Sequence, residues 1–89
     1  MTRREVIYSG RVQGVGFRAT VTALARGTSV TGYVRNTPDG GVEMIVEGTP
    51  AELDDLMARI ARHFDGYIED VQRSDTAPRG EFREFGIRY

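Results

Sequence analysis

Two glycines on either side of a valine, followed within two residues by an arginine, are the part of this chain best equipped for chemistry. They lie in Gly10-Arg11-Val12-Gln13-Gly14-Val15-Gly16-Phe17-Arg18. Gly14 and Gly16 carry no Cβ, so the backbone N–H groups beside them stay open to an approaching ligand. A helix starting just after them adds N–H groups without intrahelical partners and the positive end of a dipole. Arg18 supplies a planar, permanently charged fork that suits a phosphate's oxygens. The N–H groups of Gln13, Gly14, Val15, Gly16 and Phe17, with Arg18, therefore form a candidate anion cradle, and phosphate is the anion that fits best. The same residues also describe an ordinary strand-to-helix turn with a solvated arginine. The rest of the chain has to decide between them.

The elements that must hold this loop are readable from apolar spacing. Glu5 to Val12 has strand composition, and Phe17, Val21, Leu24 and Ala25 recur at helical spacing before Gly27, which ends the helix. Ser29 to Arg35 reads as a strand, Thr37-Pro38-Asp39-Gly40 as a turn, and Val42 to Glu47 as the returning strand. On that strand Val42, Met44 and Val46 face one way, and Glu43 and Glu47 the other. Thr49, Pro50 and Glu52 spell the start of a second helix with a capping box. Its apolar stripe is Leu53, Leu56, Met57, Ile60 and Phe64, and Gly66 closes it. Tyr67 to Arg73 and Glu81 to Tyr89 complete the set as strands. The order is strand, helix, strand, strand, helix, strand, with a further short strand at the end. Right-handed crossovers fold this into a ferredoxin-like α+β plait: an antiparallel sheet with both helices on one face.

That topology brings in a second candidate. The first two strands flanking the helix run parallel, so the end of the second, Gly32-Tyr33-Val34-Arg35-Asn36, lies on the same edge as the Gly14–Arg18 loop. The Asn36 amide can donate to one oxygen and accept from a water, which suits it to holding a nucleophilic water in place. Locally, Asn36 also reads as a turn starter before Pro38.

Composition bounds the rest. The 89 residues make one domain, 1–89, with a net charge of −1 that gives no general attraction to nucleic acid or anionic membrane. No cysteine is present, so disulfides, thiolate nucleophiles and zinc–cysteine sites are excluded. All twelve basic residues are arginine, which excludes a Schiff-base or P-loop lysine. The start, Met1-Thr2-Arg3-Arg4-Glu5, has no apolar run of signal-peptide length and no membrane span follows, giving a cytoplasmic expectation. His63, in the last turn of the second helix, reads as solvated, as do Asp54-Asp55 and Glu69-Asp70; none has metal-ligand spacing, and no metal or cofactor is expected.

Taken together, the nine-residue loop motif, Gly32-Tyr33-Val34-Arg35-Asn36, Asp39-Gly40-Gly41-Val42-Glu43, Glu47-Gly48 and Phe85-Gly86-Ile87-Arg88-Tyr89 resemble the successive motifs of the acylphosphatases. The resemblance covers nearly the whole chain. It implies hydrolysis of the carboxyl–phosphate bond of a small acyl phosphate, with Arg18 binding the phosphate and Asn36 positioning the attacking water. The chain departs from the family at Gly27-Thr28-Ser29-Val30, where a Leu-Gly-Leu-like run is usual; the first helix is expected to end earlier or in a different cap.

The chemistry agrees with the residues at hand. A carboxylate leaving group, whose conjugate acid has a pKa of about 4, needs little general acid. A loose phosphoryl transition state is served by positioning and electrostatics. Two rival readings are an RNA-binding plait and a phosphate or carbamoyl-phosphate sensor. The third strand, Val42 to Glu47, has no aromatic to stack a base, which weighs against the first. A monomer acting on a small acyl phosphate is the expectation.

Overall fold

The computed structural model describes every residue from Met1 to Tyr89. Seven elements follow in order: β1 (Thr2–Gly10), α1 (Phe17–Arg26), β2 (Thr31–Asn36), β3 (Val42–Gly48), α2 (Pro50–His63), β4 (Ile68–Thr76) and β5 (Phe85–Arg88). The sheet order is β4-β1-β3-β2-β5. Its first four strands pair antiparallel, giving the expected plait, but β5 adds to β2 in parallel, so the full sheet is mixed rather than antiparallel throughout. The reason is the Ala77–Glu84 connection, which carries the chain from the β4 edge to the opposite one. Since β1 and β2 both run antiparallel to β3, and β5 runs with β2, the C-terminal ends of β1, β2 and β5 share one edge.

The core lies between the sheet and the two helices. Val6, Tyr8, Val34, Val42, Met44 and Val46 from the strands meet Val21, Ala25, Leu53, Leu56 and Ile60 from the helices, all at most 2 % exposed. Helix α2 is built as expected: the Thr49 hydroxyl accepts from the Glu52 N–H at 3.2 Å while Glu52 reaches back to the Thr49 N–H. It runs to His63 with Phe64 as its C-cap, and Gly66, at φ +85°, lies in the turn that follows, where the Tyr67 N–H donates to the Phe64 carbonyl at 2.9 Å. The departure after α1 resolves as a different cap. Gly27 keeps φ −78°, and the Thr28 N–H and hydroxyl both donate to the Ala25 carbonyl, at 3.0 and 2.7 Å.

Glu47 does face away from Val46, yet it is buried. Burial would raise its carboxyl, but the N–H groups of Arg79 and Gly80, at 3.0 Å each, and the Arg3 guanidinium hold it below the usual carboxylate range. This clamp fixes the connection that delivers β5 to its edge.

One buried group lacks a partner. The Tyr8 ring packs against Phe17, 5.1 Å between centroids, and its hydroxyl is buried without a hydrogen bond. Burial pushes its ionisation well above the ordinary range, with Arg4 opposing. An orphaned buried hydroxyl costs about 1–3 kcal/mol. Tyr8→Phe is therefore expected to stabilise the fold by about 1 kcal/mol, read as a higher midpoint in urea unfolding; an unchanged or lower midpoint would count against the orphan.

Candidate active site

The loop between β1 and α1 takes its shape from its two glycines. Gly14 and Gly16 sit at φ +75° and +78°, the left-handed region that other residues enter at a cost, although a Cβ would meet nothing at either position. Gly16 is also the residue before α1, and no side chain caps that helix. The first turn closes only with the Thr20 N–H on the Gly16 carbonyl, at 3.0 Å. Consequently the backbone N–H groups from Gln13 to Ala19 donate to no carbonyl. Unsatisfied donors in sequence at a positive helix end are what an anion seeks.

Arg18 stands at this end, half-buried. The more deeply buried Arg3 and Arg4 are each held by two or more carboxylates. The Arg18 guanidinium, by contrast, makes no ion pair or hydrogen bond; its neighbour is the Tyr89 ring, 5.1 Å from Cζ to centroid. A partly desolvated, uncompensated guanidinium is a donor set held ready for a ligand.

Asn36, the last residue of β2, pairs through its backbone with Val42 and keeps its side-chain amide free of hydrogen bonds. It lines the same cleft, of about 230 Å³, as Gly14, Gly16, Phe17 and Arg18. The shared sheet edge thus brings the two candidates together as topology predicts. Phe17 contributes only backbone, because its ring is buried between Tyr8 and Phe64.

Gln13 and Val15 do not line the cleft. Val15 turns its side chain outward, 40 % exposed. The Gln13 amide points at the β2–β3 turn, donating to the carbonyls of Thr37 and Gly41 at 2.9 and 2.7 Å. Both of its hydrogens are used, so the side chain is a tie between the cradle and the strand end that carries Asn36. Only its own N–H is left for an anion.

Two residues that sequence reasoning did not place in the site are there: Ile87 and Tyr89, from the end of β5. The signal was the strand's alternation, but its parallel pairing with β2 was needed to bring them to this edge. Other charged groups are accounted for elsewhere. Arg11 stacks over Tyr67 at 5.0 Å, Arg35 pairs with Glu43 at 2.7 Å, and His63 lies exposed beside Phe64. Asp54 and Asp55 are exposed on α2 and pair with Arg4 and Arg59 at 2.8 and 3.0 Å. No three histidine or carboxylate groups gather in a metal-ligand arrangement. No helix is long and apolar enough to cross a membrane.

Comparison with known proteins points one way. The family model described as acylphosphatase matches residues 4–87. A Methylococcus capsulatus relative named acylphosphatase is 39 % identical over 88 residues, covering 98 % of this chain and 96 % of its own. The crystal structure of acylphosphatase from Bacillus subtilis superposes with a TM-score of 0.91 at 31 % identity, each chain covered in full. The structure of T. kodakarensis HypF matches the whole of this chain with a TM-score of 0.84 at 27 % identity, over 12 % of its own length.

Proposed function

We propose, because the chain belongs to the acylphosphatase family and is a hydrolase of small acyl phosphates, that its reaction runs on Arg18, Asn36 and the free N–H groups of the loop that begins at Gln13. The observation that carries this reading is the half-buried Arg18 guanidinium, without a partner, at the end of a loop whose N–H groups are also unbonded. The substrate's phosphate takes up those donors. The Gln13, Gly14, Val15, Gly16 and Phe17 amides and the Arg18 fork surround its non-bridging oxygens, where charge is spread in a loose transition state.

Asn36 holds a water in line with the breaking bond. The water oxygen bonds to phosphorus as the bond from phosphorus to the carboxyl oxygen breaks. The carboxylate leaves with that electron pair, and both water protons end on the phosphate, giving dihydrogen phosphate. The departing carboxylate needs no acid, since its conjugate acid has a pKa of about 4. The substrate's own phosphate oxygens take the water's proton, because neither Asn36 nor Arg18 is a base at neutral pH. Nothing in this sequence of steps calls for a metal.

The setting that goes with this reading is a cytoplasmic monomer, residues 1–89 acting as one domain, with no nucleic acid or membrane partner. Coverage of nearly the full length of the Methylococcus relative supports the single domain. The absence of aromatics from β3 supports a sheet that does not stack bases. The test is phosphate release from acetyl phosphate in EDTA. Turnover well above the spontaneous rate, undiminished by the chelator and competitively inhibited by inorganic phosphate, is expected. Phosphate binding without turnover would favour a sensor instead.

A further inference from the structure

A second cleft, between α2 and the edge strand β4, shares no residue with the one that holds Arg18 and Asn36. Val71 pairs with Tyr8 across the β1–β4 ladder, so its side chain stands on the helix side of the sheet. No helix covers it there, and it is 41 % exposed. Met57, Ala61 and Phe64 line the cleft from α2 at helical spacing, and Ile68 adds to the apolar wall. The cleft measures about 380 Å³. Tyr8 belongs to its lining, and the Tyr8 hydroxyl is the one buried side-chain polar atom in the molecule without a hydrogen-bond partner. Arg4, whose charge acts on this hydroxyl, is itself committed to Asp54, Asp75 and the Met57 sulfur.

We infer that this cleft is a second binding site, for a small neutral molecule with a flat apolar body and one polar group that pairs with the Tyr8 hydroxyl. The apolar walls select the body, and the Tyr8 and Phe64 rings favour an aromatic one. The hydroxyl selects the polar group. Burial without a partner costs it free energy, which an oxygen or nitrogen of the ligand recovers. A neutral phenol both donates and accepts, so either kind of group serves. The charges at the rim select neutrality. Asp65 is the one charged side chain in the lining, so an anion meets a carboxylate and no cation. Asp65 is exposed to water, so it compensates little of the cost of desolvating a cation among these walls.

The test titrates p-cresol, toluene and p-toluate into the isotope-labelled full chain and follows its backbone amide resonances. The three probes share a methyl-bearing ring and differ only in the polar group: a hydroxyl, none, or a carboxylate. p-Cresol is expected to shift the amides of Ala61, Phe64 and Val71 saturably, with an affinity that saturating inorganic phosphate leaves unchanged. It should bind roughly two- to tenfold tighter than toluene, the worth of one net hydrogen bond. p-Toluate should not bind there. Tyr8→Phe should bring p-cresol and toluene level, and Ala61→Leu, which fills the cleft from an exposed helix position, should remove binding of both. No saturable shift at these amides, displacement of p-cresol by inorganic phosphate, or equal affinities for p-cresol and toluene in wild type would each overturn the site. So would p-toluate bound as tightly as p-cresol, a preference for p-cresol that survives Tyr8→Phe, or binding that persists in Ala61→Leu.

Discussion

Arg18→Ala is expected to lower kcat/KM for acetyl phosphate by roughly 10²–10⁴ while leaving a folded protein. Each charge-assisted hydrogen bond to the phosphoryl oxygens is worth roughly 1.5–3 kcal/mol. A forked guanidinium makes two, and about 1.4 kcal/mol corresponds to a tenfold change in rate. The fold should survive because nothing in it depends on this side chain. The guanidinium makes no ion pair or hydrogen bond, and its one neighbour of note is the exposed Tyr89 ring. Surface-type truncations of that kind change stability by about 0.5 kcal/mol or less. Arg3→Ala offers the opposite contrast. It strips a buried guanidinium from Glu47, Glu5 and Glu81 and should destabilise, because it leaves the Glu47 carboxylate buried without its cation. The checks are steady-state phosphate release and far-UV circular dichroism on Arg18→Ala and Arg18→Lys. The lysine variant keeps the charge but loses the fork, so it should recover only part of the rate. Wild-type-like hydrolysis by Arg18→Ala would end the assignment.

How much of this was open to reading in the sequence depends on what each residue answers to. Helix α2 and the turn after β2 were legible because their signals are local: Thr49, Pro50 and Glu52 act within one turn, and Asp39-Gly40 within another. The juxtaposition of Arg18 and Asn36 was legible through topology, since a right-handed crossover makes β1 and β2 parallel whatever their side chains. Three things were not. The place of Gln13 in the loop marks its backbone N–H for the anion but says nothing of its side-chain amide. Its hydrogen bonds to Thr37 and Gly41 span 24 and 28 residues and have no local trace. Glu47 followed the alternation of β3, but its burial depends on the Arg79–Gly80 segment folding over it, from more than thirty residues away. Ile87 and Tyr89 entered the site because β5 joins β2 in parallel, and pairing partners of an edge strand are not written in its own pattern. Each miss is a long-range contact, and each lies at the periphery of a site whose centre was set by short motifs.

Asn36→Ala is expected to lower kcat by roughly 10²-fold and to leave KM and inhibition by inorganic phosphate nearly unchanged. Misplacing a reacting group by about 1 Å is enough for a loss of that size. The water, not the phosphate, is what Asn36 holds in the proposed reaction, so the loss belongs in the turnover step. The strand itself tolerates the change. Asn36 pairs with Val42 through its backbone, and its amide makes no hydrogen bond within the fold. The Gln13 tie to Thr37 and Gly41 keeps the β2–β3 turn in place in the variant as well. Asn36→Asp separates geometry from charge. It preserves the shape but sets a carboxylate beside a dianionic phosphate, so KM and the inhibition constant for phosphate should both rise, in addition to the loss in kcat. A variant series in which Asn36→Ala raises KM with kcat intact would assign Asn36 to phosphate binding. The attacking water would then have to be oriented by the loop N–H groups between Gln13 and Ala19, the other unbonded donors at this edge.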